Sequence, residues 1–110
     1  MAPLSNYLLM HRKRLTLSQE EVGFLIGAKG SSKGSTVSRE EQFRREPSLQ
    51  NAIAYEVIYG KPIRELFAGL YEEVEQNIAK RAKVLSYQQN VKARPRLQEV
   101  ITKLFSKIAA

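Results

Sequence analysis

The sequence predicts an all-α protein, with a five-helix domain over residues 1–70 and a helical extension over residues 71–110. Apolar residues recur at intervals of three and four along most of the chain, which is typical of amphipathic helices. No segment alternates between apolar and polar residues as a half-buried strand does, and no Asn-Gly hairpin signal occurs. Serine, proline and glycine lie between the apolar repeats, where helices begin and end.

Composition limits the classes of function that the chain can have. Of its 110 residues, 43% are hydrophobic and 26% are charged, which is typical of a globular chain with a small core. It has no cysteine and no aspartate, and its one histidine, His11, is expected at the surface. These counts exclude a disulfide framework and a thiolate metal site and leave little material for a catalytic triad. We therefore expect no enzyme, no cofactor and no metal ion.

The net charge of +7 lies mainly in the last third of the chain. Residues 1–47 carry a net +3, residues 48–75 a net −3 and residues 76–110 a net +7. A basic chain favours an acidic partner such as nucleic acid, although a solvated helix surface explains the basic tail equally well. No apolar run is long enough to span a membrane, and the first cations follow the apolar start, unlike in a signal peptide. We expect a cytoplasmic protein without membrane contact.

The first two helices are predicted from leucine spacing and from a capping signal. The first helix ends in basic residues, which suit the helix dipole, and carries Leu4, Leu8, Leu9 and Leu15. The second begins at a capping box, in which Ser18 caps the amide of Glu21 and the Glu21 side chain reaches back. It ends near Gly27. Its apolar face consists of Val22, Leu25 and Ile26.

Three more helices complete the predicted domain. A loop rich in glycine and serine over residues 28–35 precedes a short third helix at about residues 36–43. The fourth helix begins after Pro47 and ends at Gly60, and Pro62 occupies a favoured first-turn position of the fifth. The apolar residues of the fourth helix are Leu49, Ala52, Ile53, Val57 and Ile58.

The apolar pattern continues into the extension as two stripes. The first runs from Leu66 to Leu85 and fades in a polar segment, and the second begins after Pro95. The second stripe consists of Leu97, Val100, Ile101, Leu104, Phe105 and Ile108. This face is too large to leave in water, so we expect it to dock on the first stripe or, by preference, on a partner subunit.

The order of these elements resembles the phage repressor and Cro family of helix-turn-helix transcriptional regulators, also called XRE-like. LSQEEVGFLIG at residues 17–27 is similar to the positioning helix of the family, and STVSREE at residues 35–41 to its recognition helix. Residues 44–67 are similar to the basic loop, the fourth helix and the Leu-Phe of the fifth. The resemblance covers roughly residues 4–70. It implies a lambda-repressor-like domain that binds double-stranded DNA, and hence an association with the nucleoid.

The resemblance implies that the recognition helix reads base edges in the major groove. Its first turns carry short polar side chains and one guanidinium, which reach base edges without blocking the approach. These base-reading candidates are Ser35, Thr36, Ser38 and Arg39. Arg39 is expected to contribute most, because its fork suits the O6 and N7 atoms of guanine. Val37 should point inward, against Val22 and Leu25.

Phosphate contacts are expected on both sides of the recognition helix. Gln19 matches a family position that contacts the DNA backbone, and a helix N-terminus favours a phosphate there. Arg44 and Arg45 lie in the loop with which the family grips phosphate. Arg12 and Glu41 match positions that form an internal salt bridge in the family, so we expect a structural pair that is costly to break on one side.

The turn between the two helices departs from the family pattern. The family usually has three residues between the positions of Gly27 and Ser35, whereas this chain has the seven residues AKGSSKG. Within this insertion, Lys29 and Lys33 are expected to contact phosphates. The insertion lacks the spacing of a phosphate-cradling GxxxxGK[ST] loop, and a helix precedes it where that loop follows a strand.

The sequence thus predicts a transcriptional regulator that binds double-stranded DNA as a homodimer through residues 1–70, with residues 71–110 for dimerisation or partner binding. The alternative is an antitoxin-type protein that binds and neutralises a protein partner while also binding DNA. A third hypothesis is an adaptor that bridges transcription factors without reading DNA.

Overall fold

The computed structural model describes residues 2–88 and 92–109, without the side chains of residues 108 and 109. These residues form seven α-helices and no strand, so the all-α prediction is confirmed. The helices are α1 (Leu8–Arg14), α2 (Gln19–Leu25), α3 (Gly34–Glu41), α4 (Leu49–Tyr59), α5 (Ile63–Leu66), α6 (Ala68–Ser86) and α7 (Pro95–Ala109). This count differs from the predicted five, because two further helices follow α5. None of the seven is both long and apolar enough to cross a membrane.

Local signals set most helix ends of the first half. The capping box at α2 is confirmed, since the Glu21 N–H donates to Ser18 Oγ (3.0 Å) and the Ser18 N–H donates to Glu21 Oε1 (2.8 Å). Gly27 and Gly60 follow α2 and α4 with φ of +78° and +66°, a conformation that glycine adopts without steric cost. Ser48 caps α4 with its hydroxyl. By contrast, α3 begins at Gly34, about two residues before the predicted start.

The predicted apolar stripe from Leu66 to Leu85 is interrupted at Phe67, between α5 and α6. Backbone groups of the N-terminal segment form hydrogen bonds with backbone groups on both sides of this break. The Tyr7 N–H donates to the Leu66 carbonyl (2.8 Å), and the Gly69 N–H donates to the Leu4 carbonyl (2.8 Å). The prediction that Leu4 belongs to the first helix is therefore wrong, because Leu4 precedes α1 and its carbonyl accepts a hydrogen bond from Gly69.

The chain forms two compact units, Met1–Leu70 and Tyr71–Ala110. The core of the first unit consists of Leu8, Val22, Ile26, Val37, Tyr55, Tyr59, Leu66 and Phe67. The prediction of a surface position for His11 is wrong. Its ring is buried and stacks on Tyr59 with the centroids 6.1 Å apart, and burial lowers the pKa of His11.

Two helices expose part of their predicted apolar residues. Leu25 was predicted to pack against Val37, but its side chain is exposed. On α4 the rings of Tyr55 and Tyr59 occupy the buried face, because an aromatic ring buries more apolar area than an aliphatic chain. The opposite face is therefore exposed, and it carries Leu49, Ile53 and Val57.

The second unit contains α7 and all but the first turn of α6. It buries Ala82 and Ile101, and residues of both helices line an open apolar groove, among them Val74, Ile78 and Leu104. Within the predicted docking face, Leu97 and Leu104 are half-buried, whereas Val100 and Phe105 are exposed. The face is thus covered only in part by its own unit. The side chain of Ile108 lies outside the described residues.

Candidate nucleic-acid interface

Close backbone packing fixes α3 against α2. A Cβ atom added to Gly23 would overlap the carbonyl group of Lys33, and one added to Gly34 would lie 3.2 Å from the Cβ atom of Gln19. Val22 and Val37 are fully buried. The two helices therefore hold one arrangement that larger residues at either glycine would disturb.

A salt bridge ties the end of α3 to α1. Arg12 donates to Glu41 from Nε (2.6 Å) and from Nη2 (3.1 Å), and its Nη1 donates to the Leu17 carbonyl (3.0 Å). The hydrogen bond to Glu41 raises the pKa of Arg12, which favours the charged guanidinium. Gln19 Nε2 also donates to Glu41 Oε1 (3.0 Å). The side chain of Gln19, a predicted phosphate contact, is thus engaged within the protein.

The recognition-helix candidate α3 has a buried face and an exposed face. The buried face consists of Gly34, Val37, Glu40 and Glu41. At about 100° per residue, Ser35, Arg39 and Gln42 point away from it. Arg39 and Gln42 are exposed, and the other base-reading candidates, Ser35, Thr36 and Ser38, are half-buried. The structure therefore brings the four predicted base-reading residues together on one short helix.

Gln42 is a further polar residue of this face that the sequence did not predict. It follows the last residue of α3, and its Nε2 atom donates to Ser38 Oγ (3.1 Å). Its amide extends the exposed polar face by one turn beyond Arg39. The spacing of three and four residues from Arg39 and Ser38 was the signal that could have identified it.

The inserted turn is anchored by a carboxylate. Glu20 accepts hydrogen bonds from Ser32 Oγ (3.1 Å), from the Lys33 N–H (3.2 Å) and from the Gly34 N–H (3.1 Å). The backbone bond from Gly34 and the hydroxyl bond from Ser32 hold the pKa of Glu20 below its ordinary value. Of the two predicted phosphate contacts in this turn, Lys29 is exposed and Lys33 is half-buried. No sequence signal pointed to Glu20, because it lies twelve or more residues from the groups that it binds.

The two arginines after α3 differ in their surroundings. Both Arg44 and Arg45 are exposed, but Arg45 Nε lies 4.0 Å from Glu40 Oε2. Phe43 precedes them with φ of +64°, a conformation that is unusual for a bulky residue, and the Arg44 N–H donates to the Arg39 carbonyl (2.9 Å). The left-handed residue Phe43 and the hydrogen bond from Arg44 thus close the C-terminal end of α3.

A buried carboxylate on α3 was also missed. The side chain of Glu40 is fully buried and accepts hydrogen bonds from the Tyr55 hydroxyl (2.6 Å) and from Asn51 Nδ2 (3.3 Å). Burial, together with the bond to Glu40, raises the pKa of Tyr55. Asn6 Nδ2 donates to the backbone carbonyl of Glu40 (2.9 Å). Polar contacts thus connect α3 to α4 and to the N-terminal segment.

No group of three or more potential metal-ligating side chains occurs within residues 2–88 and 92–109. Comparison with family models, with characterised proteins and with solved structures gives no match to this chain. The proposal of a function therefore rests on the geometry of α2 and α3 and on the residues around them.

Proposed function

We propose that the first unit binds double-stranded DNA sequence-specifically, with α3 in the major groove, and that the protein regulates transcription in this way. The exposed face of α3 carries the main support. It offers the guanidinium of Arg39 and the second amide hydrogen of Gln42 as donors to base edges. The Ser35 hydroxyl donates to the Ser32 carbonyl, so its oxygen is offered as an acceptor. The major groove is wide enough to admit an α-helix, and α3 is held by the rest of the unit on one side only, so its other side is free to approach DNA.

The distribution of charge around α3 supports the same proposal. Its two carboxylates, on Glu40 and Glu41, are buried and hydrogen-bonded, so they leave the outer face without an exposed acid. Exposed or half-buried cations occur in the segments on either side of α3 in sequence, at Lys29, Lys33, Arg44 and Arg45. Cations in such positions bind phosphate without regard to sequence and orient the helix over the bases.

The resemblance of residues 4–70 to the phage repressor and Cro family supports a lambda-repressor-like helix-turn-helix domain. Selection of bound duplexes from a random pool tests the function. We expect enrichment of a short two-fold symmetric sequence, because two copies of α3 would each read one half-site. Failure to enrich any sequence would overturn the proposal. Co-purification of a stoichiometric protein, with lethality when this chain is lost, would favour the antitoxin-type alternative.

Arg39→Ala is expected to weaken binding to the selected site by about 1–3 kcal/mol and to relax the preference at one base pair. Binding constants for the selected site and for its single-base variants measure both effects. Arg44→Ala is the matched control, because it removes an exposed cation close to α3. It should weaken all duplexes alike and flatten the logarithmic salt dependence by about one unit. Equal losses on all duplexes for Arg39→Ala would contradict its base-reading role.

We propose a homodimer that uses the exposed part of the second unit, because one recognition helix reads too few base pairs to select an operator. Val100→Glu, at a side chain that is 52% exposed, should weaken dimerisation at least about tenfold by placing a charge in the interface. Sedimentation of the full chain at micromolar concentration measures this. Thr102→Glu, on the polar side of α7, should remain dimeric. A wild-type monomer that binds its operator without cooperativity would contradict the dimer.

A further inference from the structure

The beginning of α3 lacks an N-cap of its own. Lys33 occupies the N-cap position, has no side-chain oxygen and makes no capping hydrogen bond. The first amides of a helix need acceptors from outside the helix, which usually come from a Ser, Thr, Asp or Asn at this position. Here Glu20, in the first turn of α2, supplies the acceptor to the amides of Lys33 and Gly34.

The hydrogen bonds of Glu20 hold the C-terminal end of the inserted turn against the start of α2. Glu20 Oε1 also accepts a hydrogen bond from the Ser32 hydroxyl. One carboxylate therefore binds three successive residues, of which the last, Gly34, is the first residue of α3. A carboxylate forms stronger hydrogen bonds than a neutral acceptor, and a negative charge is favourable at a helix N-terminus. The Ser35 hydroxyl in turn donates to the Ser32 carbonyl (2.9 Å). The carboxylate is therefore connected through Ser32 to the first base-reading candidate.

The contact sets the position of the first turn of α3. Glu20 is exposed and belongs to no part of the apolar core, so its replacement should leave the domain folded. The turn after Gly27 is long for the connection of two short helices, and a long turn without an anchor samples many conformations. A shift of the first turn of α3 by about 1 Å is enough to misalign side chains that must meet base edges.

We propose that Glu20 is a positioning residue for DNA recognition, whose carboxylate holds Ser32, Lys33 and Gly34 so that the first turn of α3 meets the bases in one orientation. This inference rests on the proposed function. It assigns sequence preference, as distinct from affinity, to a residue that contacts no base.

The test compares full-length Glu20→Ala, Glu20→Gln and wild type. The readout is the ratio of binding constants for the selected site and for a random duplex. We expect Glu20→Ala to lower this ratio about tenfold, while its binding to random duplex stays equal or rises because a negative charge is lost. Glu20→Gln should recover part of the ratio, since its amide oxygen still accepts from an N–H group. Amide NMR signals of Lys33 and Gly34 should shift in both variants.

Glu21→Gln is the matched control. It removes the same charge from the adjacent residue, and the Glu21 carboxylate binds the Ser18 N–H and makes no hydrogen bond with Ser32, Lys33 or Gly34. For Glu21→Gln, the ratio of the binding constants for the selected site and for random duplex should equal that of wild type. If wild type enriches a sequence and Glu20→Ala retains the full ratio, the positioning role is overturned while the proposed function stands. If Glu20→Ala binds all duplexes more tightly by the same factor, so that the ratio is unchanged, the positioning role is overturned as well. If wild type enriches no sequence, the proposed function itself fails, and this inference fails with it.

Discussion

Glu41→Ala is expected to lower the free energy of unfolding by about 3 kcal/mol. The Glu41 side chain is 2% exposed and accepts three hydrogen bonds, two from Arg12 and one from Gln19. Its removal leaves a guanidinium that is only 11% exposed without its carboxylate. The expected value lies at the low end of the range for buried pairs, because Arg12 keeps its bond to the Leu17 carbonyl. Urea denaturation followed by circular dichroism measures the change.

Two further variants separate the ion pair from a general effect of charge. Glu46→Ala removes an exposed carboxylate close to α3 and should change the free energy of unfolding by less than about 0.5 kcal/mol. The double variant Arg12→Met, Glu41→Leu should recover most of the stability lost in Glu41→Ala, because it removes both charges together. Similar losses for Glu41→Ala and Glu46→Ala would show that the pair contributes no more than an ordinary surface charge.

Gly23→Ala is expected to destabilise the protein by about 2 kcal/mol or more, although local helix propensity predicts the opposite sign. Within a helix, alanine is favoured over glycine by about 1 kcal/mol. Here the new methyl group would overlap the backbone of Lys33, which yields only if α2 and α3 separate. Overpacking of this kind costs roughly 1–3 kcal/mol, and the cost is highest against rigid backbone. The midpoint of urea denaturation gives both the sign and the size of the effect.

Gly60→Ala is the control for this prediction. Gly60 has open space around the missing Cβ atom but has φ of +66°, so its replacement introduces conformational strain without a clash. We expect a loss of about 1 kcal/mol. The two glycines thus separate steric overlap from backbone strain. A stabilising effect of Gly23→Ala would mean that α2 and α3 separate at no cost, and the fixed orientation of α3 would no longer hold.

The helical class and most helix ends were predictable because their signals are local. A capping residue, a left-handed glycine and an apolar spacing of three or four all act within one or two turns of the chain. The box at Ser18 and Glu21 and the ends at Gly27 and Gly60 belong to this group. The clustering of the base-reading candidates on one helix followed from their adjacency in sequence.

The candidate site was predicted less completely, because its supporting contacts join distant residues. Glu20 is twelve to fourteen residues from the groups it binds, and Glu40 is fifteen residues from Tyr55. Neither contact has a fixed spacing that a sequence pattern reveals. The prediction for Gln19 was limited in the same way, because its bond to Glu41 spans 22 residues.

The sequence by itself determined that this chain is helical, where most of its helices end, and which polar residues share α3. Tertiary structure decided which apolar faces are buried, where the stripe breaks, and how Glu20 and Glu40 hold α3, whereas the Arg12–Glu41 pair was already expected from the family resemblance. Amphipathic spacing shows that a helix face is apolar. Whether that face is buried depends on which other side chains already fill the small core. The aromatic rings of α4 excluded Leu49, Ile53 and Val57 from that core. Backbone pairing with Leu4 and Tyr7 likewise set the break at Phe67, since a carbonyl accepts from whichever donor the fold brings near.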